Sequence, residues 1–172
     1  DRLDDAKSVL DKVTEMDSEN TEAKSEMGKV AFRQGDFSLA EQLIAETESG
    51  QELARYFNNL AVGLVAQSRY DEAIETYQRS LTLLQDKAKV HLLEYNLGLA
   101  YKKKGDLAQS FEHVSKAYLL ELSFEKAYAG LARLAKEMKE KGLTYDQELA
   151  KTIRKRRDEY KASQGQSEKE SA

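Results

Sequence analysis

The sequence predicts an all-α fold, a right-handed solenoid of antiparallel helix hairpins with a C-terminal capping helix. Three observations predict it. The 172 residues contain no Pro, Cys or Trp and 34% are charged, and Ala, Leu, Glu, Lys and Gln, all good helix formers, dominate; this is not the composition of a sheet. Small residues recur with a steady period at Ala6, Ala40, Ala73 and Ser110, at separations of 34, 33 and 37. A second set, Gly28, Ala61, Gly98 and Ala132, steps by 33, 37 and 34. Both sets contain the same longer step, so they share one register.

The local sequences repeat with the landmarks. Leu97-Gly98-x-x-Tyr101 leads to Gly105-Asp106-Leu107, then to Ser110, Val114 and Ala117. Met27-Gly28 leads to Gly35-Asp36-Phe37, Ala40 and Ile44, and Leu60-Ala61 leads to Tyr70, Ala73, Ile74 and Tyr77. In these residues the chain resembles the tetratricopeptide-repeat family, over about residues 1–135. A small residue suits a point where two helices cross closely. Gly35 and Gly105 suit a left-handed helix end, with Ser68 in the corresponding place, and Asp36 and Asp106 suit the cap of the next helix. Phe37, Tyr70 and Leu107 would staple each hairpin, and Ile44, Tyr77 and Val114 would pack against the following unit. The family's repeat-closing Pro is absent and Asp17-Ser18-Glu19-Asn20 stands where it often falls, which predicts longer or continuous helices across the boundaries.

Taken in order, residues 1–20 hold the second helix of a truncated first repeat (Arg2–Met16), residues 21–53 a full repeat, and residues 54–90 a repeat with a short insertion near 84–90. Residues 91–124 form another repeat. Residues 125–161 hold the first helix of a fifth repeat (124–140) and a divergent capping helix (144–161) started by Thr144 or Asp146, because solenoids need a polar end. Residues 162–172 are small and polar, which predicts a disordered tail. The half-repeat at the start predicts a preceding domain or further repeats.

Function classes narrow quickly. Without Cys there is no thiolate nucleophile or Cys-bound metal. The two histidines, His91 and His113, lie in different helices with no third ligand at metal spacing, and no phosphate loop or nucleophile motif appears. The expectation is a protein that is not an enzyme and carries no cofactor or metal. No segment is apolar enough to span a bilayer, and the charged start Asp-Arg-Leu-Asp-Asp is unlike a signal peptide, so the expected location is cytoplasmic. A net charge of −4 disfavours nucleic acid as the main ligand; the basic run Lys151, Arg154, Lys155, Arg156 and Arg157 is followed by Asp158 and Glu159, as on a solvated helix.

The family resemblance implies a concave groove lined by the first helices of the hairpins. Its candidate residues are Lys29 and Arg33 in the second unit and Arg55, Asn58, Asn59 and Val62 in the third. The fourth contributes Tyr95, Asn96, Leu99, Lys102 and Lys103, and the fifth Lys126, Arg133 and Lys136. Asn59 and Asn96 hold equivalent places 37 residues apart. Amides can bridge to the backbone of an extended peptide, and the cations favour acidic side chains or a free C-terminus. A subgroup of the family clamps chaperone carboxylates with Lys and Asn on its first helices; here Ser25 and Lys29 stand in those places, which matches the clamp only in part. The reading is a peptide- or protein-binding module, a scaffold or output domain of a larger protein. The phrases Phe57-Asn-Asn-Leu-Ala-Val and Leu97-Gly-Leu-Ala-Tyr-Lys-Lys-Lys-Gly-Asp also loosely resemble repeats found behind receiver domains in bacterial response regulators. The alternative is a homodimer formed through the half-repeat face of Leu3, Val9, Leu10 and Val13.

Overall fold

The computed structural model describes residues 2–45, 50–84 and 89–170. Among these residues there are helices and no strands: α1 (Arg2–Met16), α2 (Thr21–Gln34), α3 (Phe37–Ala45), α4 (Gly50–Ala66), α5 (Tyr70–Leu84), α6 (His91–Lys104), α7 (Leu107–Leu120), α8 (Glu125–Glu140) and α9 (Gln147–Glu170). Three hairpins follow the lone α1: α2–α3, α4–α5 and α6–α7. The expected insertion at 84–90 lies largely in residues 85–88, outside the described residues. The helix α4 begins at Gly50, ahead of the expected boundary at residue 54.

Local chemistry sets the ends of the helices. Asn20 accepts a hydrogen bond from the Ala23 amide at 2.8 Å, which caps α2. The chain therefore breaks between α1 and α2 and does not run on as a continuous helix; an Asx cap does here what a Pro does elsewhere. Asp36 and Asp106 accept from the amides of Leu39 and Gln109 at 3.1 and 3.0 Å. The first helix of each hairpin ends in a left-handed residue, Gly35, Ser68 or Gly105, with φ of 83°, 60° and 95°. The next amide then reaches back to the carbonyl of Ala31, Leu64 or Tyr101, closing a Schellman motif. Gly142 repeats the device, with φ of 68° and Leu143 bonded to the Met138 carbonyl.

This motif corrects the register of the fifth unit. Gly28, Ala61 and Gly98 each lie seven residues before the left-handed residue, and seven before Gly142 is Ala135, not Ala132. Leu134 and Met138, which match Leu97 and Tyr101 in that register, are buried, whereas Ala132 is exposed. The last step is therefore 37, a repeat of the long step.

The crossing of α6 and α7 shows why a small residue is needed. A Cβ on Gly98 would stand 2.6 Å from Val114 Cγ2 and 3.1 Å from both the Ser110 carbonyl oxygen and the Val114 nitrogen. Gly28 meets Ile44 of its own hairpin in the same way, at 2.9 Å. Ile44 thus packs on Gly28 within its hairpin and belongs to the cluster it shares with the next unit, and Val114 reaches both Gly98 and Gly130 of the next unit. Two apolar clusters fill the stack. One joins α2 to α6 through Phe32, Ile44, Leu53, Phe57, Tyr77 and Leu97. The other joins α6 to α9 through Tyr95, Phe111, Val114, Leu134, Met138 and Ile153. The helix α6 contributes to both and is buried on two flanks.

Both histidines take part in packing. His113 is buried and its Nδ1 lies 2.7 Å from the Glu94 carboxylate of the same hairpin, while His91 meets the Phe124 ring edge-on. The helix α9 starts at an Asp146 cap, whose carboxylate accepts from the Leu149 amide at 2.9 Å. It packs against α7, with the Tyr145 ring 4.7 Å from that of Phe111 and Ile153 buried. Arg157 pins it further, stacked 3.6 Å over Tyr128 and paired with Glu125 at 3.0 Å. It continues to Glu170, so the stretch expected to be a disordered tail is helical to that residue. Propagation adds one hydrogen bond per residue fixed, so a helix already started by packed turns can be carried on through this Pro-free run, which also includes Gly165.

Two stability changes are expected from this packing. Gly98→Ala overpacks the α6–α7 crossing and should cost ~1–3 kcal/mol, whereas Gly130→Ala meets only ordinary contacts and should gain up to ~1 kcal/mol from helix propensity; urea unfolding of the two variants checks both signs. The Ser110 hydroxyl is buried without a hydrogen-bond partner, so Ser110→Ala should stabilise by ~1 kcal/mol in the same assay.

Candidate peptide-binding surface

The residues expected to line a groove come from the first helices α2, α4, α6 and α8. On α6 the turn spacing aligns Leu92, Asn96, Leu99 and Lys103, and on α4 it aligns Arg55, Asn58 and Val62. The two stripes meet where Asn96 donates its side-chain amide to the Asn58 side-chain oxygen at 2.6 Å. Val62, Leu92 and Leu99 are 45%, 45% and 37% exposed. Three large aliphatic side chains thus stand in water on the two helices that carry the half-buried amide pair, the kind of exposed apolar surface that can mark an interaction site.

The expected cations are mostly exposed on the same set of first helices. Arg33 and Arg55 are exposed on α2 and α4, and Lys103, Arg133 and Lys136 on α6 and α8. Arg133 Nε donates to the Ala129 carbonyl at 3.2 Å, and Lys136 is 3.8 Å from Glu140. Lys29 is drawn inward. It pairs with Glu26 at 2.5 Å and lies 5.4 Å from the Tyr56 ring centre. Burial pushes the Tyr56 phenol above its usual pKa, and Arg33 beside it pulls in the opposite direction. Lys102 bridges to α8, 2.7 Å from Glu137; Lys102 and Lys141 together hold the Glu137 carboxyl below the usual carboxylate range.

One expected residue is buried, and two others need placing. Tyr95 is only 4% exposed and turns into the joint with the next unit, its ring 5.1 Å from Phe124 and beneath Lys126 at 5.4 Å. It is a packing residue. Asn59 is exposed, and its neighbour Asn58 makes the bond to Asn96; the equivalence of Asn59 and Asn96 is a matter of register and does not bring them together. Ser25, placed where a carboxylate clamp would carry Lys, is buried. Leu92 was not among the expected residues, although it lies two turns before Leu99 and that spacing could have revealed it.

Among the described residues no group of three or more His, Asp or Glu could hold a metal ion. No described helix is long and apolar enough to cross a membrane.

Tetratricopeptide-repeat profiles match residues 1–52 and 95–123, and a TPR-repeat profile matches residues 64–105. No curated protein matches the sequence significantly. Among solved structures the chain is similar to MamA, at 23% identity and a TM-score of 0.49, over 94% of this chain and 91% of that one. It is also similar to Pseudomonas aeruginosa pilF, at 24% identity and a TM-score of 0.46, over 81% of this chain and 63% of that one. The three profiles together take in more than half of the sequence, and all three describe the same repeat: the chain is built of tetratricopeptide repeats.

Proposed function

We propose that the chain is a protein-interaction module that holds a peptide or protein segment along the face of α4 and α6, as a scaffold or output unit of a larger protein. One observation carries this reading: Val62, Leu92 and Leu99 are exposed around the Asn58–Asn96 pair. The bond between the two amides uses one donor and one acceptor. The remaining amide groups can meet the backbone of an extended segment, while the aliphatic side chains take its apolar residues. Arg55, Lys103, Arg133 and Lys136 favour acidic side chains or a terminal carboxylate on the partner. A repeat scaffold offers such a surface already ordered, so binding loses little conformational entropy. The same reading is consistent with an output role in signal transduction.

The test is capture of partners by the native chain beside a Val62→Asp/Leu99→Asp variant. Both residues are exposed, so unfolding free energy should change by no more than about 0.5 kcal/mol. A partner held by the native chain should be lost by the folded variant; equal retention would move the site off this face.

A second reading has its own support. Val9 and Met16 stand exposed seven residues apart on α1, one face of that helix, and a second copy could cover them. Leu10 and Val13 are half-buried, and the Leu3 side chain lies outside those described. Sedimentation should then show a dimer that Val9→Asp dissociates; a monomer at all accessible concentrations removes this reading.

A further inference from the structure

The joint between the second and third hairpins holds a cavity of about 390 Å3. It lies across α4 from the strip above: Leu60 and Leu64, which line it, are each two residues from Val62, about 200° around the helix. Phe32, Phe37, Leu60, Leu64 and Thr76 supply its walls, and Arg33, Arg69 and Arg79 border it.

The next joint shows what such a space accepts. The step of 37 carries Leu64 onto Tyr101 and Thr76 onto His113. There the two rings stack with centres 5.3 Å apart and planes 5° from parallel. That joint is also tied shut, by Gln78 donating to the Tyr101 hydroxyl at 3.0 Å and by Lys104 against Asp71 at 2.6 Å. In the earlier joint the corresponding residues are Ala45, Gln67 and Ser38. An aliphatic side chain and a threonine replace the rings, and the space they leave is open to solvent.

The charges around it do not balance. Arg69 is paired with Glu72 at 2.7 and 2.5 Å, and Arg79 with Glu75 at 2.8 Å while stacked 3.5 Å over Phe37. Arg33 has no carboxylate partner among the described residues; its contact is with the Tyr56 hydroxyl. We propose that this cavity binds an aromatic ring bearing a carboxylate, the ring between Leu64 and Thr76 where the next joint holds its own stacked pair, and the carboxylate at Arg33. A cavity of roughly 150 Å3 takes a benzene ring, so the ring and its side groups fit. The ligand is either a free aryl carboxylate or the C-terminal aromatic residue of a polypeptide.

The test is a methyl NMR titration of the full chain with 3-phenylpropionate and with the tripeptide Gly-Gly-Phe, each beside its C-terminal amide. The methyls of Leu60, Leu64 and Thr76 should shift, and the acids should bind about tenfold more tightly than the amides, the effect of one charge-assisted hydrogen bond. Shifts with both acids support a general aryl-carboxylate site, and shifts with the tripeptide alone support a C-terminal residue. No shift with either overturns the proposal. Leu64→Tyr/Thr76→His, which moves the stacked pair into this joint, should weaken binding at least tenfold; a folded variant that binds as before overturns it. If that variant does not fold, Arg33→Gln decides, because an acid preference that survives it is equally fatal. Val62→Asp/Leu99→Asp should leave these shifts unchanged, which separates this site from the face of α4 and α6.

Discussion

The structure depends on how closely the two helices of a hairpin approach. At Gly98 there is no room for even a Cβ between α6 and the backbone of α7. That contact brings the helix axes close enough for Val114 to reach Gly98 on one side and Gly130 on the other, so one side chain joins a hairpin to the unit beyond it. The left-handed residue seven positions later then turns the chain at a fixed angle. A short turn and a close crossing together leave the second helix little choice of placement, and each hairpin presents similar flanks to its neighbours.

Similar flanks do not make identical joints. Between the third and fourth units the stacked Tyr101 and His113 fill the space, and the Gln78–Tyr101 and Lys104–Asp71 ties bind the interface. Between the second and third, Phe32 and Phe57 meet at 4.4 Å, but the outer edge is left open beside Phe37 and Arg79. A solenoid's stability is close to a sum of unit and nearest-neighbour terms, so such a difference stays local. One joint can carry a cavity while the next stays closed.

The exposed strip on α4 and α6 arises from the same geometry. First helices of adjacent units run side by side, which lets Asn96 reach Asn58, and the residues a turn away on each helix have nothing to pack on. A side chain that would be covered in a compact bundle is left in water here. The lysines and arginines around it remain hydrated and contribute little to folding, but they give the face a sign that a partner must match.

The hairpins, their left-handed turns and their Asp caps were legible in the sequence because each is decided within one or two turns of helix. Gly35, Ser68 and Gly105 stand at fixed distances from Gly28, Ala61 and Gly98, and no distant contact is needed to read them. The fifth unit was misread because Gly130, Ala132 and Ala135 are all small; the left-handed Gly142, seven residues after Ala135, and the burial of Met138 select among them. The burial of Tyr95, the choice of Asn58 as partner to Asn96, the pairing of His113 with Glu94 and the cavity beside Leu64 were decided by tertiary structure. Each depends on which flank of a helix meets the neighbouring unit, and that follows from side-chain volumes on both sides of a joint, set by residues some twenty to forty positions apart. The sequence by itself determined the repeating hairpin, through local backbone preference and the period of its small residues; the tertiary structure decided which surfaces those hairpins bury and which they leave to a partner.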